Sequence, residues 1–217
     1  MVACYGRAMS RRMGRPPGRS GESTRERILS AARERFGRAG YAATSLGQLA
    51  EDVGITPAAI YRYFGSKAEL YRAAVQDAVS ELVPRYREAI ARSPSAGEGL
   101  VALIMASAEL HQEDPSLAVF LSSLIPEMRR EPELAAMVAE EPAAITEMVV
   151  DLVERARREG SLPPDSELDA VVGMFLACTN GLSIWAATFG QEGGGPVIRA
   201  FGELLTRALR QPPADTP

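Results

Sequence analysis

Residue types that carry out covalent or metal chemistry are almost missing from this sequence. Its two cysteines, Cys4 and Cys178, and its single histidine, His111, lie far apart and cannot complete a four-ligand zinc site. The histidine sits in "AELHQEDP", where a helix C-terminus suits its charge. There is no glycine-rich phosphate loop and no nucleophile beside a base, so neither an enzyme nor a bound metal or cofactor is expected. What stands out is a concentration of hydrogen-bond donors between residues 45 and 67: Ser45, Gln48, Thr56, Tyr61, Arg62, Tyr63 and Lys67. Such groups recognise; they do not react.

Charge says what they could recognise. Through Lys67 there are 12 Lys and Arg against 5 Asp and Glu, a net of +7; the remainder carries 12 against 23, a net of −11. A basic head on an acidic body suits a chain of which one end approaches a polyanion. Lys67 is the sole lysine beside 23 arginines. Residues 1–22 hold five arginines and four glycines with no acid before Glu22, which predicts a disordered basic arm. It could lie in a minor groove or stay a solvated tail. The arginines have no apolar stretch behind them, as a secretory signal would require. Uninterrupted apolar runs such as 171–178 fall far short of the roughly 20 residues of a membrane span. A cytoplasmic protein without membrane contact is expected.

The elements that position the donors announce themselves by their caps. Ser23 with Glu26, Ser45 with Gln48 and Ser66 with Glu69 each form the pair that opens a capped helix. Ile28, Leu29, Ala32 and Phe36 recur at helical spacing up to a stop at Gly40, giving a first helix over 24–39. Leu46, Leu49, Ala50 and Val53 make one apolar face ending at Gly54; Thr56 caps the next helix, with Pro57 at its first position. A longer helix starts at Ser66, with Pro84 expected to kink or end it. Further helices are expected at about 97–112, 115–130, 132–159, 166–189 and 195–210. No stretch alternates as a strand does. The fold class is therefore all-α, with a disordered tail over 211–217.

Residues 45–64 have the spacing of a helix-turn-helix. Ala50 falls where the two helices cross and Gly54 in the turn, while Leu49, Val53, Ile55, Ile60 and Tyr63 take the inward positions. A helix of eight residues is unstable alone, so these two must be braced by the first and fourth. Braced in that way, the second can enter a major groove. Its outer face would carry Thr56, Pro57, Ala58, Ala59, Tyr61 and Arg62.

The run "GYAATSLGQLAEDVGITPAAIYRYFGSKAEL", Gly40 to Leu70, resembles the DNA-binding domain of the TetR family of bacterial transcriptional regulators. G-Y, T-S, L-A, V-G-I-T, I-Y-x-Y-F and S-K-x-x-L stand in the family's order. The resemblance implies a DNA-binding domain over 23–68 and a larger helical ligand-binding and dimerisation domain over 69–210. It also implies double-stranded DNA, a small-molecule effector and a second copy of the chain as partners. Ser45 would cap its helix at the DNA backbone, Tyr61, Tyr63 and Lys67 would contact phosphates, and Pro57, Ala58, Ala59 and Arg62 would face the bases. Two positions depart from the family: Leu46 and Gly47 replace residues that are often polar, leaving Gln48 to read from that helix. Tyr63 is equally suited to core packing.

In the larger domain Met105, Phe120, Met128, Met148, Phe175 and Trp185, along with Met174 and Phe189, supply adaptable apolar surface for a ligand or for a plain core. Asn180 interrupts "VVGMFLACTNGLSIW" and would orient a ligand or bond across a dimer interface. Gly173, Ala177 and Gly181 form a stripe suited to close helix approach, between subunits or within one. The expectation is a homodimeric repressor released from its site by an apolar or aromatic ligand. Its rivals are an activator, a regulator controlled by a protein partner, and a helical enzyme with a vestigial head.

Overall fold

The computed structural model describes residues 23–210; the basic arm expected over 1–22 and the tail over 211–217 lie outside them. Among the described residues all regular structure is helical: α1 Thr24–Ala43, α2 Leu46–Val53, α3 Pro57–Phe64, α4 Lys67–Ala91, α5 Ala96–Glu113, α6 Pro115–Arg130, α7 Pro132–Met137, α8 Glu140–Arg158 and α9 Leu168–Arg210. The first two capping boxes form in full: the Ser23 and Ser45 hydroxyls accept from the backbones of Glu26 and Gln48, whose side chains reach back. Ser66 caps α4 by accepting from Glu69 N–H. Gly54 closes α2 at φ +71, a conformation that glycine adopts without steric cost.

α1, α4 and α6 meet at an aromatic centre. Tyr71 on α4 is fully buried, with its ring edge-on to Phe36 of α1 at 5.0 Å and to Phe120 of α6 at 5.5 Å. Beside it α1 and α6 touch backbone to backbone: a Cβ on Gly37 would lie 2.9 Å from the Phe120 nitrogen. Arg33, almost buried, ties α1 to Asp77 on α4 and, at 3.2 Å, to Asp114, the N-cap of α6. α4 starts in the head and continues through the body, so the boundary drawn between 68 and 69 falls inside its first turn.

The structure differs from the sequence reading in four places. α1 includes Gly40 as a kink at φ +82 and resumes to Ala43. α4 continues through Pro84, because Leu82 and Tyr86 on either side are buried and hold it in line. The helix expected over 132–159 is two, α7 and α8, since Val138 is drawn fully into the core at the break. The two last helices are one, α9; both halves lie along α5, and packing overrides the local preference of glycine and proline.

α9 also qualifies the reading of apolar runs. Leu168–Trp185 is, by length and composition, apolar enough to cross a membrane, with mean hydropathy 1.4. Counting only unbroken runs missed it, because Thr179, Asn180 and Ser183 interrupt the stretch. Only 17% of it is buried within this chain.

The α1–α6 approach gives a stability test. Gly37→Ala should cost about 1–3 kcal/mol by overpacking against a backbone that cannot yield, whereas Gly47→Ala, with only Ser45 Oγ near at 3.8 Å, should leave stability unchanged or raise it by up to about 1 kcal/mol. Urea unfolding of the two variants reads both effects.

Candidate nucleic-acid interface and cavity

The reading head is built on α1. Its Arg35 forks onto Asp52 of α2, with one arm at 2.8 Å, and its Arg27 donates to the Val53 carbonyl at the end of α2. Leu49, Ala50, Val53 and Ile60 are buried between the short helices and their braces, with Ile55 packed at the edge. The crossing at Ala50 is thus apolar and close, and it fixes the angle at which α3 emerges.

On the outer side of α3, Thr56, Pro57, Ala58, Tyr61 and Arg62 are exposed and Ala59 is half-buried. Tyr61 is 54% exposed. Tyr63 is 46% exposed, so the inward position assigned to it is corrected: its ring is tilted by 42° to that of neighbouring Phe64, with centroids 6.3 Å apart. Ser45 and Gln48 are exposed at the start of α2 and bonded to each other. The structure thereby gathers Ser45, Gln48, Thr56, Pro57, Ala58, Tyr61, Arg62 and Tyr63 on the solvent side of the head.

Lys67 stands apart at the N-terminus of α4, half-buried. Its ammonium sits 4.4 Å over the Tyr41 ring and donates to the Ala42 carbonyl at 3.3 Å. Burial lowers it from the ordinary lysine value, against the upward pull of Glu131 and Glu127. The same Glu127, itself buried on α6, accepts from Tyr41 N–H at 3.3 Å and pairs with exposed Arg130 at 3.2 Å. Sequence reasoning passed over Tyr41 and Glu127; a tyrosine after the helix-stopping Gly40 was the available sign for the first, and nothing local marks the second.

In the body a cavity of about 460 Å³ opens between α4, α5, α6, α8 and α9. Of the residues expected to meet a ligand, only Asn180 lines it. Phe120 belongs to the aromatic centre and Phe175 is buried in the core, against which Met128 and Met148 pack. Met105 lies against Gly202 of α9, and Trp185 is 44% exposed beside Phe189, with ring centroids 4.3 Å apart. The cavity is bounded instead by aliphatic side chains such as Leu121 and Ile145, with small residues among them such as Ser107, Ala118, Gly173 and Ala177.

A helix-turn-helix with its second helix exposed, set on an all-α bundle, defines a DNA-binding regulator. Residues 28–74 match the bacterial regulatory proteins of the tetR family, and residues 96–210 match the BetI-type transcriptional repressor C-terminal domain. The chain belongs to the TetR family of bacterial transcriptional regulators, a family of regulators and not enzymes, which bind DNA through this motif. It is similar to the HTH-type transcriptional regulator UidR of Escherichia coli K12, 28% identical over 162 residues that cover 74% of this chain and 80% of UidR. The transcriptional repressor KstR2 of Mycobacterium tuberculosis is 25% identical over 81% of this chain and 84% of its own. The structure of that ketosteroid transcriptional regulator shares the fold at TM-score 0.71, with 22% identity over 86% of this chain and 95% of KstR2. Bacillus subtilis FadR, solved in complex with stearoyl-CoA, shares it at TM-score 0.70, with 19% identity over 84% and 97% of the two chains.

The tie between α1 and α2 has a pH signature. The Arg35 guanidinium bonded to Asp52 holds that carboxyl below its ordinary value of 3.8. The contribution is therefore complete above that value and is lost as pH falls through the depressed one. Urea midpoints measured from about pH 5 down to about pH 2 should fall less steeply for Asp52→Asn than for the wild type.

Proposed function

We propose that the chain is a cytoplasmic, homodimeric repressor. Its two heads would enter successive major grooves about 34 Å apart on a pseudo-palindromic site, and a small, largely apolar molecule in the body's cavity would release them. The observation that carries this reading is the pairing in one chain of an outward-facing α3 with a cavity of about 460 Å³, a size within the range of small-molecule sites. The stearoyl-CoA with which FadR was solved has an extended apolar body, and KstR2 is described as a ketosteroid transcriptional regulator. Control by a protein partner would need no cavity, so the space favours a small molecule.

Chemistry sorts the head residues. Tyr61, Tyr63 and Lys67 would donate to phosphate oxygens, as would the capped α2 N-terminus at Ser45. Arg62 has no ion pair among the described residues, so its fork remains available for a guanine edge. Pro57, Ala58 and Ala59 offer apolar contact suited to thymine methyls, and Thr56 and Gln48 flank them with polar groups.

The second copy would seat on α9. Met174, Ile184, Trp185 and Phe189 are exposed along one side of it, around the open stripe of Ala177 and Gly181. This is the largely unburied apolar length noted above, and pairing with itself would cover it while placing two heads on one duplex. A coupling of roughly 1–3 kcal/mol between cavity and heads suffices for a 5–150-fold change in affinity.

DNA selected from a random pool by the purified chain tests the reading. A two-fold symmetric sequence with half-site centres one turn apart is expected; recovery of no preferred duplex at low salt would refute it. Lys67→Ala should weaken binding to all sequences and make the salt dependence shallower by about one unit of log–log slope, whereas Arg62→Ala should relax preference at one base position by about 1–3 kcal/mol. Sedimentation should find a dimer that Trp185→Arg splits into monomers, with operator affinity falling by about tenfold or more, because the new charge would have to be buried.

A further inference from the structure

The walls of the cavity limit what can enter it. Among the described residues that line it, none is Lys, Arg, His, Asp or Glu. Its hydroxyls are mostly occupied: Ser122 donates to the Val119 carbonyl at 2.9 Å, Thr146 to Pro142 at 3.1 Å, Thr179 to Phe175 at 2.9 Å and Ser183 to Thr179 at 2.9 Å. Each has spent its proton on its own helix. Ser107 on α5 is the exception. It is 2% exposed, and its Oγ has no partner on its own helix; the group beside it is the Tyr86 hydroxyl, at the edge of hydrogen-bond geometry. Next to it lies Tyr86 of α4, 3% exposed and also lining the cavity; burial pushes its phenol up to about 12, which the Ser107 hydroxyl partly offsets. The phenol therefore stays protonated at any physiological pH.

Two neighbouring hydroxyls hold two donor hydrogens, and at most one can be used on the other. At least one O–H thus remains for a ligand oxygen. A buried hydroxyl hydrogen left without an acceptor costs stability, and such a cost is characteristic of a site that awaits one. We propose that the effector is an uncharged, mostly apolar molecule with a keto or hydroxyl oxygen, which Ser107, backed by Tyr86, receives at the inner wall. This rests on the reading of the cavity as the effector site. An ionised carboxylate or phosphate would meet the same two neutral hydroxyls but no cation, and burying an uncompensated charge is far more costly than leaving it in water. A long-chain acid could enter only protonated, or with its charge left outside at the mouth, beyond Ser107.

A matched pair of ten-carbon probes tests this by calorimetric titration of the full-length protein at about pH 8. Decan-2-one should bind at least about tenfold more tightly than decanoate. Ser107→Ala should weaken the ketone by roughly three- to tenfold, the share of one neutral hydrogen bond, and leave decanoate unchanged. The same variant without ligand should still melt cooperatively and bind its selected DNA, because at most one neutral hydrogen bond, to Tyr86, is lost. Loss of cooperative melting, or equal weakening of ketone and decanoate, would mark Ser107 as structural and overturn the assignment. Decanoate binding as tightly as the ketone, or ketone binding indifferent to Ser107→Ala, would overturn the proposed ligand class while leaving the cavity an effector site. If neither probe binds although the protein still grips its selected DNA, the effector-site reading itself falls, and this inference with it.

Discussion

The DNA-reading helix is oriented by a joint it does not touch. α2 and α3, at eight residues each, have no stability of their own, so their angle is inherited from α1. α1 in turn is fixed where Gly37 lets its backbone meet that of α6, and where Phe36, Tyr71 and Phe120 pack edge to face. No side chain separates the two helices at Gly37, so there is little soft material to absorb a shift. α6 has a second face: Leu121, Ser122, Leu124 and Ile125 line the cavity. One rigid helix thus forms a wall of the pocket and the seat of the head. This contiguity gives the proposed coupling between cavity and head a physical route through α6.

Glu127 makes the joint directional. Its carboxylate is buried at the Gly40 kink, where a Cβ on the glycine would come within 2.8 Å of Oε1, and it accepts from the Tyr41 amide. A buried carboxylate is tolerable only where its partners are in place. The kink, the Tyr41 ring with Lys67 above it and the C-terminal half of α6 therefore hold together or loosen together. Lys67, over the Tyr41 ring and bonded to the Ala42 carbonyl, registers the state of this joint at the edge of the head.

The head was legible in the sequence because its determinants are local. Capping boxes at Ser23 and Ser45, the left-handed Gly54 and the proline at the first turn of α3 are each decided within four residues. Tyr63 was misplaced because two helices leave an aromatic at the rim free to turn either way. In the body the same method found helices but misjudged their ends at 132–159 and 166–210, where long-range packing decides. It also looked for the cavity among bulky residues. Phe120 and Phe175 are bulky enough to be drawn into the core, and what remains open lies where facing helices carry Ser107, Ala118, Gly173 and Ala177. A cavity opens where small residues on several helices leave space between the larger ones around them, a pattern that no single stretch of sequence displays.

Net charge also overstated the head. Arg33, Arg35 and Arg38 are all paired with carboxylates, Arg33 with two at close range and Arg35 in a fork. Arg25 lies over the Phe64 ring at 5.5 Å, near the end of α3. Apart from Arg38, whose partner Glu34 lies on the same helix, these cations tie helices together, and all contribute only a diffuse field to the encounter with a polyanion. Among the described residues around α3, Arg62 combines exposure and a planar fork with no ion pair, which is why the proposed reading gives it the base contact. Affinity shared among many basic groups while discrimination rests on one or two side chains is what a regulator needs, because a modest shift of the joint can then abolish the specific fit and leave non-specific attraction intact.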